Sequence, residues 1–280
     1  MTGGAGGRAR VMGGHSVPGL VAASSRFLMV NRTNANWTMR QAAPYPDLMT
    51  YDLFLGDRMY SSWSLRGWLT CAAFDLPVTT HFVGLYSGTM AEDLASLAPA
   101  RLVPVLRTPE GGVIGESLAI AETLAERHPD AGLWPAAPEL RATARWLCAE
   151  MVSGFSALRT DCPMQFQRIY PTFSPSQAVR SDLERIEALW SHARSRSGAA
   201  QAWLFGAYSL ADVFYTPVAA RILGYNLPVS DRARTYCRAL LETEAVCAWR
   251  KAAQDDSYDR EPYARDLPSE PWPAPGSAAA

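Results

Sequence analysis

Apolar and polar positions change rhythm twice along the chain. From Tyr51 the pattern is β-rich: Tyr51–Leu55 predicts a short strand ending at the breaker Gly56. After a loop over Asp57–Trp63, a helix is predicted over Ser64–Phe74, stopped before Pro77. Val78–Leu85 predicts a strand that completes a βαβ unit, and Met90–Leu97 a short helical turn. Val103–Thr108 and Val113–Gly115 predict two strands joined by the turn Pro109-Glu110-Gly111-Gly112, followed by a helix over Ser117–Arg127 closed by Pro129. The order βαβ, α, ββα predicts one α/β layer unit.

After Trp134-Pro135-Ala136-Ala137-Pro138 the strand signals stop. Leu140, Ala144, Leu147, Met151, Phe155 and Leu158 step by three or four and predict the apolar stripe of one long helix. Leu183, Ile186 and Trp190 predict another. Ser209–Leu223, bent by Pro217, Arg232–Leu241 and Ala245–Ala253 complete an all-α region. The tail from Asp255 is Pro-rich and is expected to pack loosely. Residues 1–48 hold no sustained periodicity; they carry five arginines and no acidic residue before Asp47. Such a composition suits a transit peptide, while Val17–Ala23 is too short for a secretory h-region. The favoured reading is a disordered extension. The expected layout is therefore an extension at 1–48, an α/β domain at 49–130, an all-helical domain at 138–258 and a Pro-rich tail at 259–280.

Composition narrows the function. With 26 basic against 27 acidic residues the chain is nearly neutral, which argues against an electrostatic nucleic-acid binder. Five dispersed cysteines without a C-x-x-C argue against a disulfide scaffold, a zinc knuckle and a dithiol redox site, and fit a reducing compartment. No apolar run reaches the roughly 18 residues of a membrane span. His81, His128 and His192 are isolated from metal-ligand or triad partners, so no metal is expected.

Three local patterns carry the candidate chemistry. Tyr60-Ser61-Ser62-Trp63-Ser64-Leu65-Arg66 follows the first strand. Leu102-Val103-Pro104-Val105-Leu106 precedes the hairpin, and Ile114-Gly115-Glu116-Ser117 follows it. Gly206-x-x-Ser209-Leu210-Ala211-Asp212 opens the third helix of the all-α region. In this order they resemble the cytosolic glutathione transferases over residues 51 to about 253. The first is similar to the Ser-Ser-Cys-Ser-x-Arg signature of the zeta (maleylacetoacetate isomerase-like) class and the looser Ser-x-x-x-Arg of theta-like enzymes. The second resembles the family's cis-proline strand and its Glu/Gln-Ser pair, and the third its N-capping segment. The resemblance implies a thioredoxin-like N-terminal domain followed by an all-helical domain. It further implies a glutathione transferase with glutathione as cosubstrate, a small electrophilic second substrate, a two-fold homodimer and a cytoplasmic location.

Glutathione's thiol titrates near 8.5, and a hydroxyl donating to the sulfur beside a helix N-terminus favours the thiolate. Ser62 lies where a loop meets a helix, and no Glu or Gln follows it by three residues, so a reciprocal capping box is absent. The competing reading is that Ser61, Ser62 or Ser64 simply caps the helix. Trp63 stands where the zeta signature has cysteine, which counts against an isomerase; its indole either walls the second-substrate pocket or packs as core. A cis bond at Val103-Pro104 lets Val103 exchange hydrogen bonds with an extended peptide; an edge proline in trans is the alternative. Glu116 and Ser117 open a helix whose free N–H groups suit the γ-glutamyl carboxylate, with Glu116 accepting from the ammonium; Ser117 as plain N-cap is the alternative. Ser209 with Asp212, flanked by Tyr208 and Val213, reads as a capping element of the fold. Met151, Phe155 and Arg159 are expected to line the second-substrate pocket, although a core stripe also explains the first two. The rival to an enzyme is a non-catalytic binding or interaction module on the same fold.

Overall fold

The computed structural model describes residues 50–200, 202–255, 263 and 265–273. The reading of residues 1–48 falls outside them. The α/β layer consists of β1 (Tyr51–Leu55), α1 (Ser62–Ala72), β2 (Val78–Phe82), the short α2 (Met90–Asp93), β3 (Val105–Arg107), β4 (Val113–Gly115) and α3 (Ser117–Arg127). Sheet order is β2-β1-β3-β4, with β1 parallel to β2 and antiparallel to β3, and β3 antiparallel to β4. This is the expected thioredoxin-like arrangement. The parallel pair requires a crossover, which α1 supplies. The period of two in β1 buries Tyr51, Leu53 and Leu55 completely, while Asp52 faces out to accept from His81 and Arg107. The strands are shorter than the apolar runs suggest: Val103 and Pro104 stay outside the ladder, as a residue without an N–H would dictate.

The helical region holds α4 (Pro138–Ser153), α5 (Ser156–Asp161), α6 (Gln177–Ser197), α7 (Leu210–Gly224), α8 (Asp231–Leu241) and α9 (Glu244–Asp255). The single long helix expected through Leu158 is broken. Gly154 caps α4, Phe155 adopts a left-handed φ of 57°, and α5 restarts at Ser156. Asp182 on α6 accepts from the Leu158 N–H, one of the free donors at the start of α5. Met151, Phe155 and Leu158 are buried on both sides of the break, so the spacing reports the buried face and not helix continuity. The capping box at the start of α7 is present. Asp212 is fully buried and accepts from Leu204 N (3.2 Å), Ser209 N (2.9 Å) and Tyr236 Oη (2.8 Å).

The tail corrects a second expectation. Within its described residues 265–273 the tail does not pack loosely: β6 (Glu270–Pro271) pairs antiparallel with β5 (Arg168–Ile169), and the Trp272 N–H donates to Gln167 O at 2.9 Å. The Trp272 indole lies edge-on to Phe166 and against Gly224, where an added Cβ would sit 2.5 Å from the ring. Aromatic residues among the prolines anchor the tail, since burying one indole offsets ordering several residues.

Candidate functional site

The loop between β1 and α1 is shaped by Asp57, whose Oδ1 accepts from the N–H groups of Met59 (2.7 Å) and Tyr60 (3.1 Å). Helix α1 starts two residues earlier than its apolar pattern suggests. Ser61 is its N-cap, accepting from Ser64 N at 3.2 Å and donating to Ser64 Oγ at 2.8 Å, and Ser64 Oγ accepts from Gly56 N at 2.8 Å. Ser61 and Ser64 therefore close the helix end between themselves. Ser62, the first helical residue, takes no part in the cap. Its buried hydroxyl accepts from Arg221 Nη2 at 3.5 Å, and its own proton meets no protein acceptor among the described residues.

The Val103-Pro104 bond is cis. Pro104 lies against α1 at Gly67, where an added Cβ would come within 2.8 Å of the proline Cβ. Only a residue without a side chain lets helix and loop approach this closely. Glu116, and not Ser117, is the N-cap of α3: it has φ 73° and accepts from Leu118 N at 3.0 Å, while the buried Ser117 hydroxyl donates to its other carboxylate oxygen at 2.9 Å. A non-glycine residue held at positive φ is a local strain of the kind that gathers at ligand sites.

These segments converge on one cavity of about 650 Å³. Ser62, Trp63, Val103, Pro104, Glu116, Ser117 and Arg159 all line it. Trp63 forms part of the wall, with the Arg159 guanidinium 5.7 Å above its ring and Arg66 at 4.7 Å. Met151 and Phe155 do not line the cavity. Both belong to the core, and their places are taken by Val152 and Met164. On a broken helix the stripe facing the core and the residues facing the cavity fall on different sides. The cavity also gathers Tyr60, which opens the first motif, and Tyr86 and Tyr263, which no motif marks. Tyr263 stacks on Tyr60 at 4.7 Å and its hydroxyl bonds to that of Tyr86. Arg221 is a further lining residue without a motif; its only sequence signal is that it is the one basic residue within the apolar run of α7.

The electrostatics are one-sided. Arg66 is fully buried between Trp63 and Phe214, donating from Nε to Phe214 O at 3.0 Å while Nη1 and Nη2 have no partner among the described residues. Burial, and then the nearby Arg221 and Arg159, pull it down to about 9. Burial also lowers Arg159, and burial followed by Arg159 brings Arg221 to about 10. Three cations thus act on one another here, Arg66 and Arg159 against the Trp63 ring and Arg221 against the Ser62 hydroxyl. Burial pushes the thiols of Cys71 and Cys162 up to about 12, and neither lines the cavity. Among the described residues no group of three or more His, Cys, Asp or Glu could hold a metal ion, and no helix is long and apolar enough to cross a membrane.

Residues 60–127 match the model of the glutathione S-transferase N-terminal domain. A Caenorhabditis elegans protein named "Probable maleylacetoacetate isomerase" is 39% identical over 101 residues, covering 36% of this chain and 46% of the relative. The chain thus spans about half the length of that curated relative. Among solved structures, a glutathione transferase homolog from Burkholderia with bound glutathione superposes with a TM-score of 0.56. It is 24% identical and covers 74% of this chain and 100% of its own. A homolog from Sulfitobacter, also with bound glutathione, gives 0.54 at 18% identity over 72% and 98%. At these identities the likeness is one of fold. Residues 60–127 thus resemble the glutathione S-transferase N-terminal domain, and the chain shares the two-part fold of the solved glutathione transferases.

Proposed function

We propose that the protein is a serine-type glutathione transferase in which Ser62 donates to the glutathione thiolate for attack on a small hydrophobic electrophile. The observation that carries this reading is the convergence of a cap-free Ser62 hydroxyl, the cis Val103-Pro104 bond and the Glu116-Ser117 helix start on one cavity. The extended tripeptide would pair with the Val103 backbone, and its γ-glutamyl carboxylate would meet the free N–H groups of α3. Lowering a thiol from about 8.5 by about two units needs roughly 2.7 kcal/mol of differential stabilisation. A charge-assisted hydrogen bond of about 1.5–3 kcal/mol, aided by the α1 dipole, is of that size. Trp63, Val152 and Arg159 would border the second substrate. A homodimer and a cytoplasmic location belong to the same reading.

Ser62→Ala should raise the pKa seen in the pH–rate profile of conjugation and cut turnover at neutral pH by about tenfold or more. Unchanged activity in that variant would remove Ser62 from the mechanism. A wild-type protein whose melting temperature ignores millimolar glutathione would instead favour a non-catalytic module. The named isomerase relative supports a second reading, thiol-dependent isomerisation at the same site. Trp63, standing where the zeta signature has cysteine, ranks it below conjugation.

A further inference from the structure

The proposed role of Ser62 leaves Arg221 unexplained. This arginine enters the cavity from α7, is 4% exposed, and has two of its three nitrogens held by backbone carbonyls: Nε by Cys162 O at 3.0 Å and Nη1 by Pro217 O at 3.1 Å. So clamped, the guanidinium presents Nη2 to Ser62 Oγ at 3.5 Å. Among the described residues no carboxylate pairs with it. Arg159 from α5 and Arg66 from α1 are cations; the Cys162 thiol and the Tyr225 and Tyr263 phenols are the other titratable groups that act on it. Glu116, at the start of α3, acts on Arg66. A buried cation without a carboxylate partner is unfavourable unless an anion arrives beside it.

The chemistry of the contact fixes a direction. A guanidinium only donates, so Ser62 Oγ accepts from Arg221 and the hydroxyl proton must point elsewhere. Among the described residues no protein acceptor takes that proton, and the open side is the cavity. We propose that Arg221 is a positioning residue of the thiolate site: it turns the Ser62 hydroxyl toward the sulfur and sets a fixed positive charge beside it. This inference rests on the Ser62 reading. It makes the activating machinery a joint product of both regions, with the hydroxyl from α1 and the cation from α7, 159 residues apart in sequence. An opposite charge within about 4–6 Å moves a titration by 1–3 units, so the contribution is measurable.

The test is to titrate the thiol of bound glutathione by its ultraviolet thiolate absorbance in the wild type, Ser62→Ala, Arg221→Met, Arg221→Gln and Arg221→Lys. Arg221→Met should raise the thiol pKa by about one unit or more and slow conjugation about tenfold at neutral pH. That deficit should shrink at alkaline pH, where the thiol ionises unaided. Arg221→Lys should recover part of the shift, because it keeps the charge without the fork. A purely structural arginine would change the melting temperature and leave the titration in place, and that result would overturn the inference. If Arg221→Met does not fold, Arg221→Gln against Arg221→Lys decides the same question, since only Lys retains charge. A raised pKa in Ser62→Ala with none in the Arg221 variants rejects this inference alone. No shift in any variant, or no glutathione binding by the wild type, rejects the Ser62 reading with it.

Discussion

The two walls of the cavity are built by different rules. On the α/β side, Ser62, Val103, Pro104, Glu116 and Ser117 stand at the ends of β1, β3 and β4 or the starts of α1 and α3. Each is placed by local chemistry such as a cap, a proline or a positive φ. On the helical side, Arg159, Met164 and Arg221 come from three separate segments, and Tyr263 from the tail. No cap or turn motif marks them, and long-range contacts such as Arg221 to Cys162 O and Tyr263 to Tyr60 help to hold them. One wall is encoded in short motifs and the other in packing. Damage to the first should therefore show mainly in ligand binding, and damage to the second mainly in stability.

The largest expected effect tests the packing side. Asp212 holds the start of α7, and hence Arg221 further along the same helix, by accepting from Leu204, Ser209 and Tyr236. Asp212→Ala leaves those buried donors unpartnered and should cost roughly 3–5 kcal/mol, read as a loss in urea unfolding. Burial, against those hydrogen bonds, lifts the carboxyl from 3.8 to about 6. The folded state then binds the proton more tightly than the unfolded chain, so this group's contribution to stability falls as pH rises from 3.8 to about 6 and is level above. Relative to the non-titrating Asp212→Asn, the wild type should gain stability on acidification through that window. A stability difference between the two that is independent of pH would contradict the assignment.

The motif side should respond differently. Gly67→Ala drives a Cβ to 2.8 Å from Pro104. Overpacking of this kind costs about 1–3 kcal/mol, with the strain falling on the loop that carries Val103. Unfolding should shift by about 1–3 kcal/mol, while calorimetric glutathione affinity drops about tenfold or more. Loss of stability with unchanged affinity would mean that Val103 does not hold the peptide.

The same division explains what can be read from sequence. The sequence of strands and helices in the α/β layer, α3 and the capping box of α7 are legible because each rests on periodicity, turn chemistry or a cap. Ser61 and Ser64 are legible as cap members, because a serine at a loop–helix junction has few other uses. The break at Gly154-Phe155 is not legible, since the apolar spacing runs through it undisturbed. Nor is the anchoring of Trp272, whose partners Phe166, Gln167 and Gly224 lie about 50 to 105 residues away. Met151 and Phe155 are misplaced by sequence for the first reason, and Arg221 escapes it for the second.

The smallest expected effect refines where the second-substrate wall lies on α4. Val152 lines the cavity and is partly exposed, while Met151 beside it is sealed in the core. Adjacent helical residues point about 100° apart, so one helix serves both surfaces. Val152→Ala removes two methyl groups from a surface that solvent already reaches and should change unfolding by less than about 1 kcal/mol. If an apolar electrophile packs there, its loss of contact is worth about 1 kcal/mol, a fivefold rise in KM for the electrophile with KM for glutathione unmoved. A rise confined to glutathione would move the second substrate off this face of α4, and an unchanged KM for both would leave Trp63 and Arg159 as its border.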